Sequence, residues 1–482
     1  MVFSEISFVF FFLPIAFLGI FPFLKTKIGP VAILLFSFAF FYWGSGAYTL
    51  ILALSILLNF GFGLLIQRWR HNLVLVLCIF LNLGILFFYK YFGFFLSIFG
   101  YFGDPATESF AKSIILPIGI SFYTFQGVSY VVDVWRKDMK AENNPLVFGA
   151  YLSFFPQLIA GPIVRYQDIR DDFANPDVSV DNVLAGLCRF SVGLFKKVVI
   201  ADTVAAVADA AFQSQGIGEL SPLAAWIGAL AYTLQIYFDF SAYSDMALGI
   251  ARMFGLKIKE NFNHPYASAS LTEFWRRWHI SLSTWFRDYL YIPLGGNRLG
   301  SARTYFNLTI VFLATGIWHG ASWNFLIWGM WHGLFLIFER AVFGKDAGTL
   351  KSVWLRAFYF FPAVIFGWVL FRSENLQLAL DYMLQMVDFT DMPIFAMTPE
   401  VGIELTKFDL TILLIGVGAM LLQGFYRPLG SWVADFATRQ PGQGALPMRA
   451  TVFRIVFSLS LLVIASVFAM SHTFSPFLYF RF

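Results

Sequence analysis

The sequence predicts an all-α, polytopic membrane protein, and three observations carry that expectation. Apolar residues make up 59% of the 482-residue chain and charged residues only 13%, with a mean hydropathy of +0.70, far from the composition of a soluble domain. Apolar runs of roughly 20 residues, enough to cross a hydrocarbon core of about 30 Å, recur along the chain. Between them the basic residues stand in short clusters that read as topology signals. With 61 Phe and 14 Trp, the chain can fill a large core within lipid and still place aromatics at both headgroup belts.

The same composition excludes several classes. A net charge of +4, without one continuous basic stripe, excludes nucleic-acid binding. Cys78 and Cys188 lie in apolar stretches without metal-ligand spacing and read as packing residues. No H-E-x-x-H or Cys/His set occurs, so no metal and no permanently bound cofactor is expected. The first apolar run carries Glu5 in place of a basic leader and lacks a small-residue cleavage site. It reads as a retained span.

Taken in order, candidate spans fall near 7–24, 30–45, 47–66, 73–88, 113–134, 146–164, 186–208, 222–250, 303–318, 321–341, 353–371, 408–425 and 451–471. Some are short or interrupted by Gly and Pro, which brings the expectation to about 11 crossings, with re-entrant or in-plane helices among them. Lys25/Lys27, Arg68/Arg70/His71 and Arg136/Lys137/Lys140 are expected to face the cytoplasm, so the first span runs outside to inside. The basic loop between 252 and 303 is expected on the same side. No fixed-period repeat is present. Residues 1–482 read as a single membrane domain, with 387–407 as a polar surface excursion.

The segment LTEFWRRWHISLSTWFRDYL, residues 271–290, reads as one in-plane amphipathic helix. Trp275, Trp278, His279, Leu282, Trp285, Phe286 and Tyr289 recur at helical spacing along one face, with the arginines opposite. A Trp-rich face backed by an Arg-rich one suits a membrane boundary, and it puts His279 on the apolar side. In SFFPQLIAGPIVRY, residues 153–166, Pro156, Gly161 and Pro162 break a would-be span. The result is either a pore-lining turn or a simple kink.

An ionisable side chain at the centre of a span costs about 2.5–3.5 kcal/mol on insertion scales, which makes each one a functional candidate. Asp239 and Asp245 stand six residues apart, about 120° around a regular helix, so they form no tight acid–base pair. Carboxylates held by hydrogen bonds or a nearby Arg are preferred there over direct catalysis. Asp133 reads as a boundary residue, and Lys196 and Lys197 as snorkelling side chains.

The stretch TGIWHGASWNFLIWGMWHG, residues 315–333, holds two Trp-His-Gly triplets, centred on His319 and His332. On one unbroken helix the two imidazoles would be turned by about 220° and would not act as a pair. The glycines allow close approach of backbone or substrate, and Trp318 offers a flat wall and an N–H donor. A neutral imidazole can take a proton at physiological pH. On the residues alone, a hydrogen-bonded structural histidine and a catalytic one stand level. No G-x-S-x-G elbow competes.

Together these stretches resemble the membrane-bound O-acyltransferase family, and within it the alginate O-acetyltransferase branch. The resemblance is carried by PIGISFYTFQGVSYVVDVWR (117–136), FFPQLIAGPIVRY (154–166), YFDFSAYSDMALGIARMFG (237–255), NFNHPYASASLTEFWRRWHISLSTWFRDYLYIPLGGNR (261–298) and GIWHGASWNFLIWGMWHG (316–333). They make 115–340 the motif-bearing core. The resemblance implies a ring of tilted helices around a funnel or tunnel. It places the family's essential histidine on His319 and its second histidine on His279, with both motifs intact. His332 goes with structure or channel lining, and Trp318, Trp278, Trp275, Asn324 and Asp245 with the tunnel and its support.

The implied reaction is acetyl transfer from a cytoplasmic thioester, acetyl-CoA, with His319 as general base and no metal. In this branch the acetyl group is delivered across the bacterial inner membrane, so an extracytoplasmic acetyltransferase partner acting on polysaccharide is implied, besides the membrane lipids. Rival readings are D-alanyl transfer from a carrier protein toward teichoic acid, a transporter with Asp239, Asp245 and His319 on an ion path, and a non-catalytic scaffold for an acyl carrier.

Overall fold

Among the described residues every regular element is helical, as lipid demands of a chain that must satisfy its own backbone. A computed structural model of the chain describes residues 2–99, 105–213, 220–388, 405–423, 448–471 and 477–478. Six helical stretches are long and apolar enough to cross a membrane: Gly29–Trp69, Asn72–Ile98, Pro222–Met253, Trp323–Phe343, Val353–Arg372 and Thr451–Met470. The chain is therefore a multi-pass membrane protein. Other helices that the sequence marks as spans, such as Ile120–Arg136 and Ser301–His319, are shorter or more polar. The excursion at 387–407 falls mostly on residues outside the described set.

The chain divides into two units, Met1–Leu194 with Tyr243–Glu260 and Ala437–Ala469, and Phe195–Ala242 with Asn261–Phe436 and Met470–Phe482. The first is built on α1 (Gly29–Ser45), α2 (Thr49–Trp69), α3 (Asn72–Leu86), α4 (Ile120–Arg136), α5 (Pro145–Ser153) and α6 (Val180–Phe195). Helix α2 packs on α4 because Gly63 and Gly127 have no side chain. A Cβ would lie 2.6 Å from Tyr130 at the first and 2.5 Å from Asn59 at the second. Asn59 on α2 and Asn82 on α3 exchange amide hydrogen bonds of 3.1 and 3.0 Å, an interhelical clasp suited to an apolar medium.

The Pro-Gly run after α5 is more than a kink. The helix stops at Ser153, one short turn follows over Phe155–Leu158, and the chain from 161 to 165 leaves the helix altogether. Side chains satisfy the freed backbone. Tyr151 donates its hydroxyl to the Val164 carbonyl at 2.9 Å, and Ser37 accepts the Phe155 N–H at 3.2 Å.

The second unit holds α7 (Asp202–Gln213), the residues to Ala242 of α8 (Pro222–Met253), α9 (Leu271–Arg277), α10 (Ile280–Phe286), α11 (Ser301–His319), α12 (Trp323–Phe343), α13 (Phe361–Arg372), α14 (Leu376–Val387) and α15 (Lys407–Leu422). Helices α11 and α12 form an antiparallel hairpin, α12 packs on α13 and on α9, and α13 packs on α14. Wide π-helical turns at Lys196–Ala201 and Arg287–Tyr291 precede α7 and follow α10.

Candidate active site

The stretch 315–333 is two helices. Helix α11 ends at His319, Gly320 is extended, and α12 starts at Trp323. A Cβ on Gly320 would lie 2.1 Å from the Phe325 ring, so the reversal needs glycine. Gly316 and Gly329 meet backbone to backbone. A Cβ on Gly316 would strike the Phe325 carbonyl at 2.3 Å, and one on Gly329 the Phe312 carbonyl at 2.3 Å. These glycines bring helix to helix. Asn324 is buried and donates to the Ser373 carbonyl at 2.7 Å, fixing the start of α12 to the end of α13.

This break falls between the spans expected at 303–318 and 321–341, so the geometry of one unbroken helix does not apply. His319 and His332 sit on neighbouring helices and share one tryptophan. The Trp328 ring lies 4.9 Å from that of His319 and 5.0 Å from that of His332. His319 is further walled by Trp318 at 5.0 Å and Phe371 at 5.2 Å. His332 is fully buried and also meets Trp275 at 5.1 Å, and neither of its ring nitrogens has a hydrogen-bond partner.

The segment 271–290 is likewise interrupted. Helix α9 stops at Arg277, Trp278 is extended, and His279 takes the left-handed conformation at φ 44° and ψ 55° before α10 begins. A non-glycine residue there costs of order 1–3 kcal/mol, and surrounding contacts must hold it. Asn261 supplies them. Its carbonyl accepts the Ile280 N–H at 2.9 Å, and its Oδ1 accepts from the Ser281 N–H at 3.1 Å and the Ser281 hydroxyl at 2.9 Å.

The same Oδ1 lies 3.2 Å from His279 Nδ1. An oxygen already fixed as an acceptor requires the proton on Nδ1, which leaves His279 Nε2 as a bare lone pair. That atom is buried without a partner. Burial pushes the imidazole down to about 3, so it is neutral at physiological pH. Phe240 stands edge-on to it at 4.7 Å and Trp318 at 6.0 Å. His279, Trp318, His319, Trp328 and His332 thus form one row of touching rings. Trp278 stacks at 5.4 Å on Phe274 and lies 5.0 Å from Trp368, which makes it a wall beside that row.

Beside the row lies a cavity of about 310 Å³ between α9, α10, α11 and α12. Trp275, Phe312 and Thr315 line it, and Arg276, Arg287 and Arg340 bring it positive charge. The sequence reading did not pick out Arg340 or Glu339. Glu339 is fully buried on α12, and its two oxygens accept the Leu271 and Thr272 N–H groups at 2.6 and 2.8 Å. This is an anion on the N-terminus of α9. The Tyr359 hydroxyl donates to it at 3.0 Å. Its signal was present, since it is an ionisable residue inside an apolar run.

The two aspartates of α8 are both held by cations. Asp245, in the first unit, accepts from Arg189 Nε and Nη2 at 3.1 and 3.0 Å, and Arg189 also donates to Glu260. Asp239, in the second, stands 2.9 Å from Lys197 Nζ. Lys197 does not snorkel. It is buried, and its ammonium points to Asp239 and Asp202 because two carboxylates are nearer than water. Asp133 lies in the last turn of α4, near the helix end as expected, and is buried.

A family model described as MBOAT, membrane-bound O-acyltransferase family, matches residues 39–373. The chain is 40% identical over its whole length to the whole of "Probable alginate O-acetylase AlgI" of Pseudomonas putida. It is 36% identical, over 85% of this chain and 84% of the relative, to the "Peptidoglycan O-acetyltransferase" of Helicobacter pylori. A more distant likeness, 28% over 50% of this chain and 61% of the relative, is to the "Teichoic acid D-alanyltransferase" of Streptococcus thermophilus.

Proposed function

The chain belongs to the membrane-bound O-acyltransferase family, and from that premise we propose that it takes acetyl from cytoplasmic acetyl-CoA, with His319 as general base, and passes it across the membrane for O-acetylation of an extracytoplasmic polysaccharide. One observation carries the reading. Trp275, whose ring touches Trp328 and His332 in the row that runs from His279 through His319, also borders an apolar cavity with three arginines at its lining. Three guanidinium groups fit the phosphates of coenzyme A.

The acceptor hydroxyl attacks the thioester carbonyl while His319 takes its proton. The tetrahedral oxyanion then collapses, the carbon–sulfur bond breaks, and the thiolate recovers the proton from the imidazolium. Trp328, whose buried Nε1 has no hydrogen-bond partner and whose ring touches that of His319, is a donor at hand for the oxyanion. His279 cannot fill that role in its present tautomer, because Nε2 accepts and does not donate. It orients an N–H or O–H group of a substrate instead. Trp275, Trp278, His332 and Asn324 support the tunnel walls, and Asp245 supports its own unit through Arg189.

With this reading go a ring of about 11 crossings around a funnel, residence in a bacterial inner membrane, and a partner protein that completes transfer in trans. The named relatives act on alginate in one case and peptidoglycan in the other, so polysaccharide is the shared acceptor class. The test is transfer of labelled acetyl from acetyl-CoA in reconstituted vesicles, for the native chain and His319→Ala at matched expression. Loss of transfer in the variant supports the role of His319, and persistence overturns it. A native chain active only with an aminoacyl carrier protein would be a D-alanyl transferase, and one that moves ions without transfer would be a transporter.

A further inference from the structure

Asp239 is 2% exposed, and its two oxygens have different partners. Oδ1 faces Lys197 at 2.9 Å, while Lys197 also reaches Asp202 at 2.6 Å. A buried carboxylate with one oxygen on the ammonium needs a donor for the other. The donor is the backbone N–H of Leu478, 239 residues away in sequence, at 2.8 Å from Asp239 Oδ2.

The neighbouring residue leads to the candidate active site. Phe477 and Leu478 are each 2% exposed, and the Phe477 ring lies 6.1 Å from that of Phe240. Phe240 is the ring that stands edge-on to His279 at 4.7 Å. All of these residues belong to one unit. A line of contacts therefore runs from the ion cluster through residues 477 and 478 to the back of the imidazole.

We propose that Asp239 is a positioning residue. Lys197 fixes its carboxylate, the carboxylate clamps the Phe477–Leu478 segment by the Leu478 N–H, and Phe477 backs Phe240 so that His279 keeps Nε2 turned to the substrate. The proposal rests on the acyl-transfer reading of His279, and its first readout does not depend on catalysis. Leu478→Cys keeps the N–H and places a thiol in the clamp. In the full chain in membranes, its labelling by a maleimide is read against the background of the buried Cys78 and Cys188.

The introduced thiol is expected to label slowly with Asp239 intact and at least about tenfold faster with Asp239→Ala. Asp239→Asn, which keeps an amide oxygen for the backbone N–H of that position, should stay near the slow rate. With Asp239 intact, Phe477→Ala is expected to lower kcat about tenfold with little change in KM for acetyl-CoA, and Phe477→Leu to recover most of it. Equal labelling of the Asp239→Ala and parent chains overturns the clamp, and a native kcat in Phe477→Ala overturns its link to His279. Faster labelling in a chain whose native form transfers no acetyl would support the clamp and count against the acyl-transfer reading alone.

Discussion

Both units leave buried polar groups without a hydrogen-bond partner, the Tyr123 hydroxyl, the Gln126 amide and Gln157 Oε1 among them in the first, but in the second several of these groups stand on one row of touching rings. In the first, Asn59 and Asn82 answer each other's amides, Tyr151 and Ser37 satisfy a broken backbone, and Arg189 saturates itself on two carboxylates. In the second, His279 Nε2, both nitrogens of His332 and the indole N–H groups of Trp275 and Trp328 are buried without a hydrogen-bond partner. Folding leaves such groups unmade at a cost of about 1–3 kcal/mol each. Buried groups without partners that gather on one row of rings are the ones to test for function first.

The contrast fails if its reactive side proves inert. His319→Ala should lower acetyl transfer by about a hundredfold to ten-thousandfold while the melting temperature stays near native, measured on the same vesicles. Glu339→Ala comes next. It strips two backbone N–H groups and the Tyr359 hydroxyl of their acceptor, so destabilisation by about 1–3 kcal/mol for each donor left unpaired should accompany loss of transfer, read by thermal unfolding in detergent.

The clasp in the first unit makes a sharper demand. Asn82→Leu takes away the amide donor to Asn59 Oδ1, which keeps only the weak Cys78 thiol while Nδ2 keeps Ser55, and should cost about 1–3 kcal/mol, whereas the double change Asn59→Leu with Asn82→Leu should be nearly neutral. Transfer should follow folded protein in both cases. Equal losses in the single and double variants would show that the clasp is no pair.

A further effect concerns pH and shows only in acid. His279 is lowered by burial to about 3 in the folded chain, against about 6.5 unfolded. Between those values the unfolded chain binds the proton that the folded one refuses. The stability is complete above about pH 6.5 and is lost as pH falls toward 3. His279→Gln should therefore flatten the acid limb of the stability profile, and an unchanged limb would assign it to other groups.

The histidines and their tryptophans were legible in the sequence because their motifs are local. The breaks beside them were legible only in part. In 153–166, Pro and Gly announce the departure from helix, but at 278–279 the periodicity of Trp275, Leu282 and Trp285 continues through the interruption. The left-handed residue is a histidine, and what holds it is Asn261, 18 residues away. Lys197 was misread for a related reason. Snorkelling is what a lysine does beside lipid, and only the fold shows that Asp202 and Asp239 are within reach. Tertiary contacts of this kind leave no periodic trace.

The hairpin of α11 and α12 has a consequence for changing what the enzyme accepts. Gly316 and Gly329 meet with no side chain between them, so this part of the scaffold can neither be padded nor spread without moving His319. It is the fixed jaw of a vice. On the proposed reading, room for a bulkier acyl group has to come from the opposing jaw, where Trp275 and Leu282 face the cavity from α9 and α10, and size selectivity should be adjustable there while His319 stays in place.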